Sequence, residues 1–423
     1  MKQSTKYLSL FLLSFFVMAG SVFAQDTDRD LQYYTSPDQR GVNQFEAPFT
    51  TDQEFDGVNV RLGGANTLQF QAITHENAGP WQSGVDESGN PIMSSLPELG
   101  SNFNLATSNL DFDVALDNGL RMHLRTYLSS QHHPEAWVKG GYIQIDRLDF
   151  ISEGFASDLM DNLRIKVGHM EINYGDNHFR RTDNGAAIHN PFVGNYIMDS
   201  FTTEVGGEIY YYGGDLFAMV GLTNGKLNQS TIKTDPANTG SFVGKLGYDS
   251  QVNEDLRLRL TGSIYTTGQA NGIYLYDGDR AGSRYYNVMS GGFRSGRFDP
   301  GFDNEITAIM INPFVKYNGL EFYGVFETVT GKDAGQPSDT FNQYGAELLY
   351  RFGAGEDVYL GARYNLVSND DIDIERFNIG GGWFLTKNVL AKLEYVTQTY
   401  DGFTGQLEDG QFDGVMLEAV ISF

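Results

Sequence analysis

Sixteen runs of alternating apolar and polar residues follow one another from residue 66 to the end of the chain, and the connections between them are mostly short and long by turns. The runs are 66–75, 103–116, 120–129, 140–150, 162–174, 205–213, 216–223, 241–249, 256–268, 306–316, 320–330, 342–352, 357–367, 373–385, 389–399 and 412–423. Most connections from an even-numbered run to the next are tight, as at Asp117-Asn118-Gly119, Gly213-Gly214-Asp215, Tyr317-Asn318-Gly319 and Thr386-Lys387-Asn388. Asn-Gly and Gly-rich pairs are the signals of tight hairpins. Most connections from odd-numbered runs are long, as at 75–102, 175–204, 224–240 and 269–305. A soluble sandwich has no reason to sort its connections this way, whereas a membrane barrel has short periplasmic turns and long external loops. The expected fold is all-β: a transmembrane antiparallel β-barrel of about sixteen strands. The stretch 269–305 has room for two more strands, which would make eighteen.

Both chain ends agree. Leu417, Ala419, Ile421 and Phe423 alternate with Glu418 and Ser422 among others, so the chain finishes on a strand with one apolar face. Such a last strand is what a barrel needs to pair with its first. At the other end Lys2 and Lys6 precede the apolar run Tyr7 to Ala19, and Ser21-Val22-Phe23-Ala24-Gln25 follows. That pattern predicts a signal peptide over residues 1–24, cut after Ala24. No later apolar run is long enough for a membrane helix, and a closed barrel is the other structure that satisfies every backbone group in lipid. The expected address is therefore the outer membrane of a Gram-negative cell, with its lipid as partner. Residues 25–55 are polar with scattered aromatics and read as a periplasmic extension or partial plug, leaving 56–423 for the barrel.

Composition narrows the chemistry. The chain has no cysteine, which excludes disulfides and cysteine-held metals. Its net charge is −25, and loss of the two signal-peptide lysines would leave −27. Such a surface repels nucleic acid. Asp26, Asp28 and Asp30 alternate like the start of a calcium loop, but Leu31 and Pro37 stand where that loop needs glycine and glutamate. No metal and no cofactor is expected.

Strand parity assigns faces. With Leu120, Met122 and Leu124 toward lipid, Arg121, His123 and Arg125 point inward; Arg164 and Lys166, and Arg257 and Arg259, follow by the same rule. An arginine on the lipid face costs about 2–4 kcal/mol at mid-bilayer, which enforces this assignment. Asp111, Asp113, Glu321, Glu327, Glu347, Lys392, Glu394 and Glu418 also point inward. Candidate pore-lining residues are thus Arg121, Arg125, Arg164, Lys166, Arg257, Arg259, Glu321, Glu347 and Glu418, and a charged interior in so wide a barrel predicts a water-filled pore. The long loop after the fifth strand carries His178, Arg180, Arg181 and His189 beside Asp176 and Asp183. Rings of arginine and lysine select anions, so these six residues are the candidate constriction. Equally, Asp176 and Asp183 can pair with the arginines and pin the loop to the wall. Arg280, Arg284, Arg294 and Arg297 cluster in a later loop.

The segment Leu163-Arg164-Ile165-Lys166-Val167-Gly168-His169-Met170-Glu171-Ile172-Asn173-Tyr174-Gly175 resembles the signature of the phosphate-selective porin family, a basic strand ending in Gly-x-aromatic-x-x-Pro-aromatic-Gly. Gly168, Tyr174 and Gly175 keep that spacing, with Met170 at the first aromatic position and Asn173 at the proline. The resemblance implies a sixteen-stranded porin, commonly a homotrimer, with its third external loop folded inward. It also implies passive diffusion of small polar or ionic solutes, anions such as phosphate among them. An enzyme is not expected, since neither Gly-x-Ser-x-Gly nor His-Glu-x-x-His occurs. His132 and His133 read as solvated loop residues. A plugged transporter of apolar compounds would share the barrel, and so would an adhesin, whose acidic loops, Ser368 to Asp371 included, would bind partners.

Overall fold

Alternation converts directly into two faces. On β1 (Asn59–Glu76), Thr67, Gln69 and Gln71 are buried inside, while Leu62 and Leu68 are exposed outside. The computed structural model describes residues 30–423 other than 131–134, 182–185, 226–230, 233–236, 271, 279–284, 291 and 293. The stretch expected to be a signal peptide, Asp183, His132, His133, Arg280 and Arg284 lie outside the described residues. After β1 comes a separate hairpin, β2 (Trp81–Val85) and β3 (Pro91–Ser94). Then follow β4 (Asn102–Asp117), β5 (Leu120–Ser129), β6 (Trp137–Ile145), β7 (Leu163–Glu171), β8 (Thr203–Gly213), β9 (Leu216–Thr223) and β10 (Ser241–Gln251). The rest are β11 (Leu256–Thr267), β12 (Glu305–Tyr317), β13 (Leu320–Lys332), β14 (Asp339–Phe352), β15 (Val358–Ser368), β16 (Asp373–Thr386), β17 (Val389–Asp401) and β18 (Gln411–Ser422).

β1 and β4–β18 form one closed antiparallel barrel of sixteen strands. β18 closes it against β1, with Ala65 opposite Ser422 and Glu76 opposite Gln411. Closure leaves no open edge in the barrel wall. The outside is apolar, with Leu110, Ile143, Leu260, Leu348, Leu360 and Leu393 all exposed. Aromatic rings crown both ends of this belt: Tyr211, Tyr317, Tyr350 and Trp383 near the short turns, Phe103, Phe242 and Phe377 toward the long loops. Paired girdles of this kind mark the two interfaces of a bilayer.

Three details depart from the sequence pattern. β1 begins at Asn59, seven residues before the expected 66, because Asn59–Leu62 still pair with Phe112–Ala115 of β4. The strand expected over 140–150 stops at Ile145, since Asp146 turns inward to hold Arg164. The connection that follows carries a short helix, Ser157–Met160. Among the described residues of 269–304 no strand forms. Ile273, Leu275, Tyr276, Tyr285, Tyr286 and Val288 are instead buried in the barrel's interior core. Apolar residues that do not alternate cannot serve a two-faced strand, so they pack into the lumen.

Two more stretches enter the lumen. In residues 172–202, Ile188, Phe192, Val193, Ile197 and Met198 are buried. In residues 31–49, Leu31, Tyr33 and Phe45 are buried. Each must satisfy its own backbone groups there. The wall supplies partners: Asn365 Oδ1 accepts from Ile197 N at 2.6 Å, and Gln343 Oε1 from Met198 N at 2.9 Å.

Candidate solute passage

The inserts leave part of the lumen empty. A cavity of about 250 Å³ lies between the wall of β5–β8 and the inserted segments. The wall contributes Arg121, His123, Arg125, Lys139, Tyr142, Arg164 and Lys166. Facing them are Tyr34, Gln44 and Glu46 of the N-terminal segment, and His178, Phe179, His189 and Phe201 of the inserted loop, with Glu171 at the head of β7. Two arginines, two lysines and the strut Arg164 therefore line a space where, among the described residues, Glu46, Asp113 and Glu171 are the only carboxylates. In a chain of net charge −25 this is a local reversal of sign.

The cations are held side by side on the wall. Arg125 grips Asp111 through two bonds of 2.8 Å yet keeps about 23% of its side chain accessible. His123 Nδ1 lies 2.8 Å from Asp113 Oδ1, and Arg121 donates to Gln144 Oε1 at 2.7 Å. Lys166 Nζ is 3.3 Å from Glu208 and 4.8 Å above the Tyr142 ring. Lys139 Nζ sits over the rings of Tyr127 and Phe201, at 4.5 and 5.1 Å. Arg164 differs: Asp146 and the carbonyls of Ala47 and Pro48 occupy it, at 2.6, 2.7 and 2.6 Å, so it braces the N-terminal segment.

The candidate constriction residues separate into two groups. Arg180, Arg181 and Asp176 are buried in ion pairs, Arg180 and Asp176 with the wall and Arg181 within the inserted loop. Arg180 pairs with Glu347 of β14, and its Nη1 donates to Asn43 Oδ1 at 2.5 Å. Arg181 binds Asp199 at 2.8 Å with its guanidinium 3.8 Å from the Phe201 ring centre. Asp176 is bound by Lys245 at 2.7 Å and by Arg259 at 2.9 Å. His178 and His189 line the cavity. His178 Nε2 is 2.9 Å from Asn173 Oδ1, and His189 Nε2 is 3.3 Å from the Asp38 carbonyl. Burial pushes the His189 imidazole down to about 4, so it is neutral near pH 7. Burial acts to raise the Asp176 carboxyl, but Arg259 and Lys245 outweigh it and hold the group well below the usual carboxylate range.

The remaining pore-lining candidates all point inward and sit in pairs away from the cavity. Arg257 and Arg259 bind Asp249, at 2.8 and 2.9 Å. Glu321 pairs with Arg351 at 2.7 Å, Glu347 with Arg363 at 2.8 Å, and Glu418 with Lys392 at 2.9 Å. Two glycines of the porin-like segment, one on β7 and one after it, have steric jobs. Gly168 has φ +144°, and a Cβ there would meet the Tyr142 Cα at 2.6 Å. Gly175 has φ +67°, where the chain turns inward to bring Asp176 to the wall.

No protein-family model matches the chain, and no curated protein does. Solved structures do. The high-pH structure of OprB from Pseudomonas putida is similar over 87% of this chain and 94% of that one, with 10% identity and a TM-score of 0.51. The outer membrane channel DcaP of Acinetobacter baumannii is similar over 88% of this chain and 99% of that one, with 12% identity and a TM-score of 0.50. The likeness is one of fold.

Sequence reasoning overlooked Lys139, Lys245, Arg363 and Arg376. Parity could have found them: Arg363 stands between Ala362 and Tyr364 on β15, and Lys245 precedes the outward Leu246 on β10. Asn43 and Glu46 carry no such signal, because their segment is irregular.

Proposed function

We propose that the chain is an outer-membrane porin that passes small polar and ionic solutes and favours anions, phosphate-type oxyanions included. The observation that carries this reading is the cationic cavity along β5–β7 inside an apolar-walled, sixteen-stranded barrel. Passage needs no chemistry, so the protein acts as a channel and not as an enzyme. Arg121, Arg125, Lys139 and Lys166 attract the anion, and the wall carboxylates beside Arg121, Arg125 and Lys166 keep those sites weak enough for release. Arg180 and Arg181 shape the inserted loop that forms the opposite bank. A homotrimer is part of this reading. Single-channel recording in a planar bilayer with a salt gradient tests it. The expected result is steady conductance with a reversal potential on the anion side. A silent protein, or one that prefers cations, rejects it, and cross-linking in detergent counts the subunits.

A further inference from the structure

The N-terminal segment makes a circuit of the lumen at its short-turn end. Gln32 bonds Asn118 at 3.1 Å and receives the Gly119 N–H at 2.9 Å in the β4–β5 turn. Gln39 N donates to the Lys387 carbonyl at 2.8 Å in the β16–β17 turn, and its side chain reaches Gly355 O at 3.0 Å. Asn43 donates to Glu321 of β13 at 2.5 Å while its own carbonyl accepts from Arg257 of β11 at 2.9 Å. Glu46 lies 3.0 Å from Lys245 of β10 and 2.8 Å from Arg259 of β11. Phe49 then stacks on Tyr212 of β8 at 4.2 Å. A stretch of fewer than twenty residues thus touches strands or turns around most of the ring.

Apart from the single backbone bond from Gln39 to Lys387, these anchors are bonds and ring contacts that involve side chains. The segment adds no strand to the barrel, so the cylinder does not need it for closure. The wall groups it uses have other partners: Lys245 and Arg259 keep Asp176, and Glu321 keeps Arg351. Taking the segment away would leave paired ions in a wider space. The segment also supplies one bank of the cavity, through Tyr34, Gln44 and Glu46.

We propose that residues 31–49 are a built-in plug that sets the size limit of the passage, latched to the wall through Asn43 and Glu46; this rests on the channel reading above. Two variants test it in planar bilayers and in liposomes challenged with uncharged sugars of increasing size. The full-length Asn43→Ala/Glu46→Gln protein loses the latch, and a protein lacking residues 31–49 loses the plug. A heat-shifted mobility on gels verifies the barrel in each, and if the deletion fails to fold, the full-length variant decides alone. Conductance is expected to rise several-fold over the parent, with entry of larger sugars. Conductance and sugar cut-off equal to the parent's overturn the plug and leave the channel reading standing. If parent and variants are all silent, the channel reading falls and takes the plug with it.

Discussion

The two sides of the lumen use the same kinds of inward side chain for different ends. On the β14–β17 side, polar residues reach across to inserted backbone: Arg363 donates to Gly194 O at 2.8 Å, Arg376 to Asn195 O at 2.6 Å, and Lys392 to Ala187 O at 2.6 Å. Glu394 accepts the Val193 N–H at 2.8 Å. On the β5–β7 side, Arg125, His123 and Lys166 bind partners on adjacent strands of the wall. The first side becomes a core in which polar groups replace water for an irregular chain. The second keeps its charges facing open space. An inward charge is therefore no proof of a pore lining; the location of its partner decides.

That contrast can be broken most sharply at Arg363. Arg363→Ala leaves Glu347 short of a buried partner and the Gly194 carbonyl with only the longer bond from Asn190, at 3.3 Å. Breaking a buried pair of this kind costs about 3–5 kcal/mol, to be read from urea unfolding followed on gels. Arg125→Ala, with its pair partly open to the cavity, should cost no more than about 1 kcal/mol. Equal losses would erase the distinction between the two sides.

Selectivity should show the opposite ranking. Arg125→Glu/Lys166→Glu is expected to lower anion-over-cation permeability about tenfold, a change of about 1.4 kcal/mol. Arg180→Ala/Arg181→Ala should alter it far less, since those side chains are buried in pairs. A reversal potential that moves more with the second pair than with the first refutes the assignment.

Acid should loosen the inserted loop. The unfolded chain protonates His189 near pH 6.5, whereas the folded chain resists until about 4. Its contribution is full above pH 6.5 and falls as pH drops toward 4, because the unfolded state then binds more protons. Melting temperature measured across that window should decline, and His189→Asn should flatten the decline. The smallest effect belongs to Arg294→Ala, whose pair with Asp277 at 3.3 Å lies exposed at the rim. Less than about 1 kcal/mol is expected there.

The barrel was legible because lipid on one side and polar groups on the other force a strict period of two. Each of the sixteen barrel strands overlaps a run read from the sequence, and Arg121, Arg164 and Glu347 point inward as parity requires. The filling was not legible. The described residues of 31–49, 172–202 and 268–304 form no strand, and their positions depend on single bonds such as Asn43 to Glu321, 278 residues apart. Periodicity carries no trace of such pairs. Parity also showed which charges face inward without showing which would be matched by an inserted segment, so Arg259 and Arg125 looked alike.

The seam between β1 and β18 has its own consequence. Gly64 and Phe423 exchange both backbone hydrogen bonds, each at 3.0 Å. Two stretches far apart in the sequence must meet before the cylinder exists, so the barrel cannot close until β18 has been made. A copy shortened by even one strand at its carboxyl end would keep most of its sheet and still present a raw margin to its neighbours, a shape suited to aggregation.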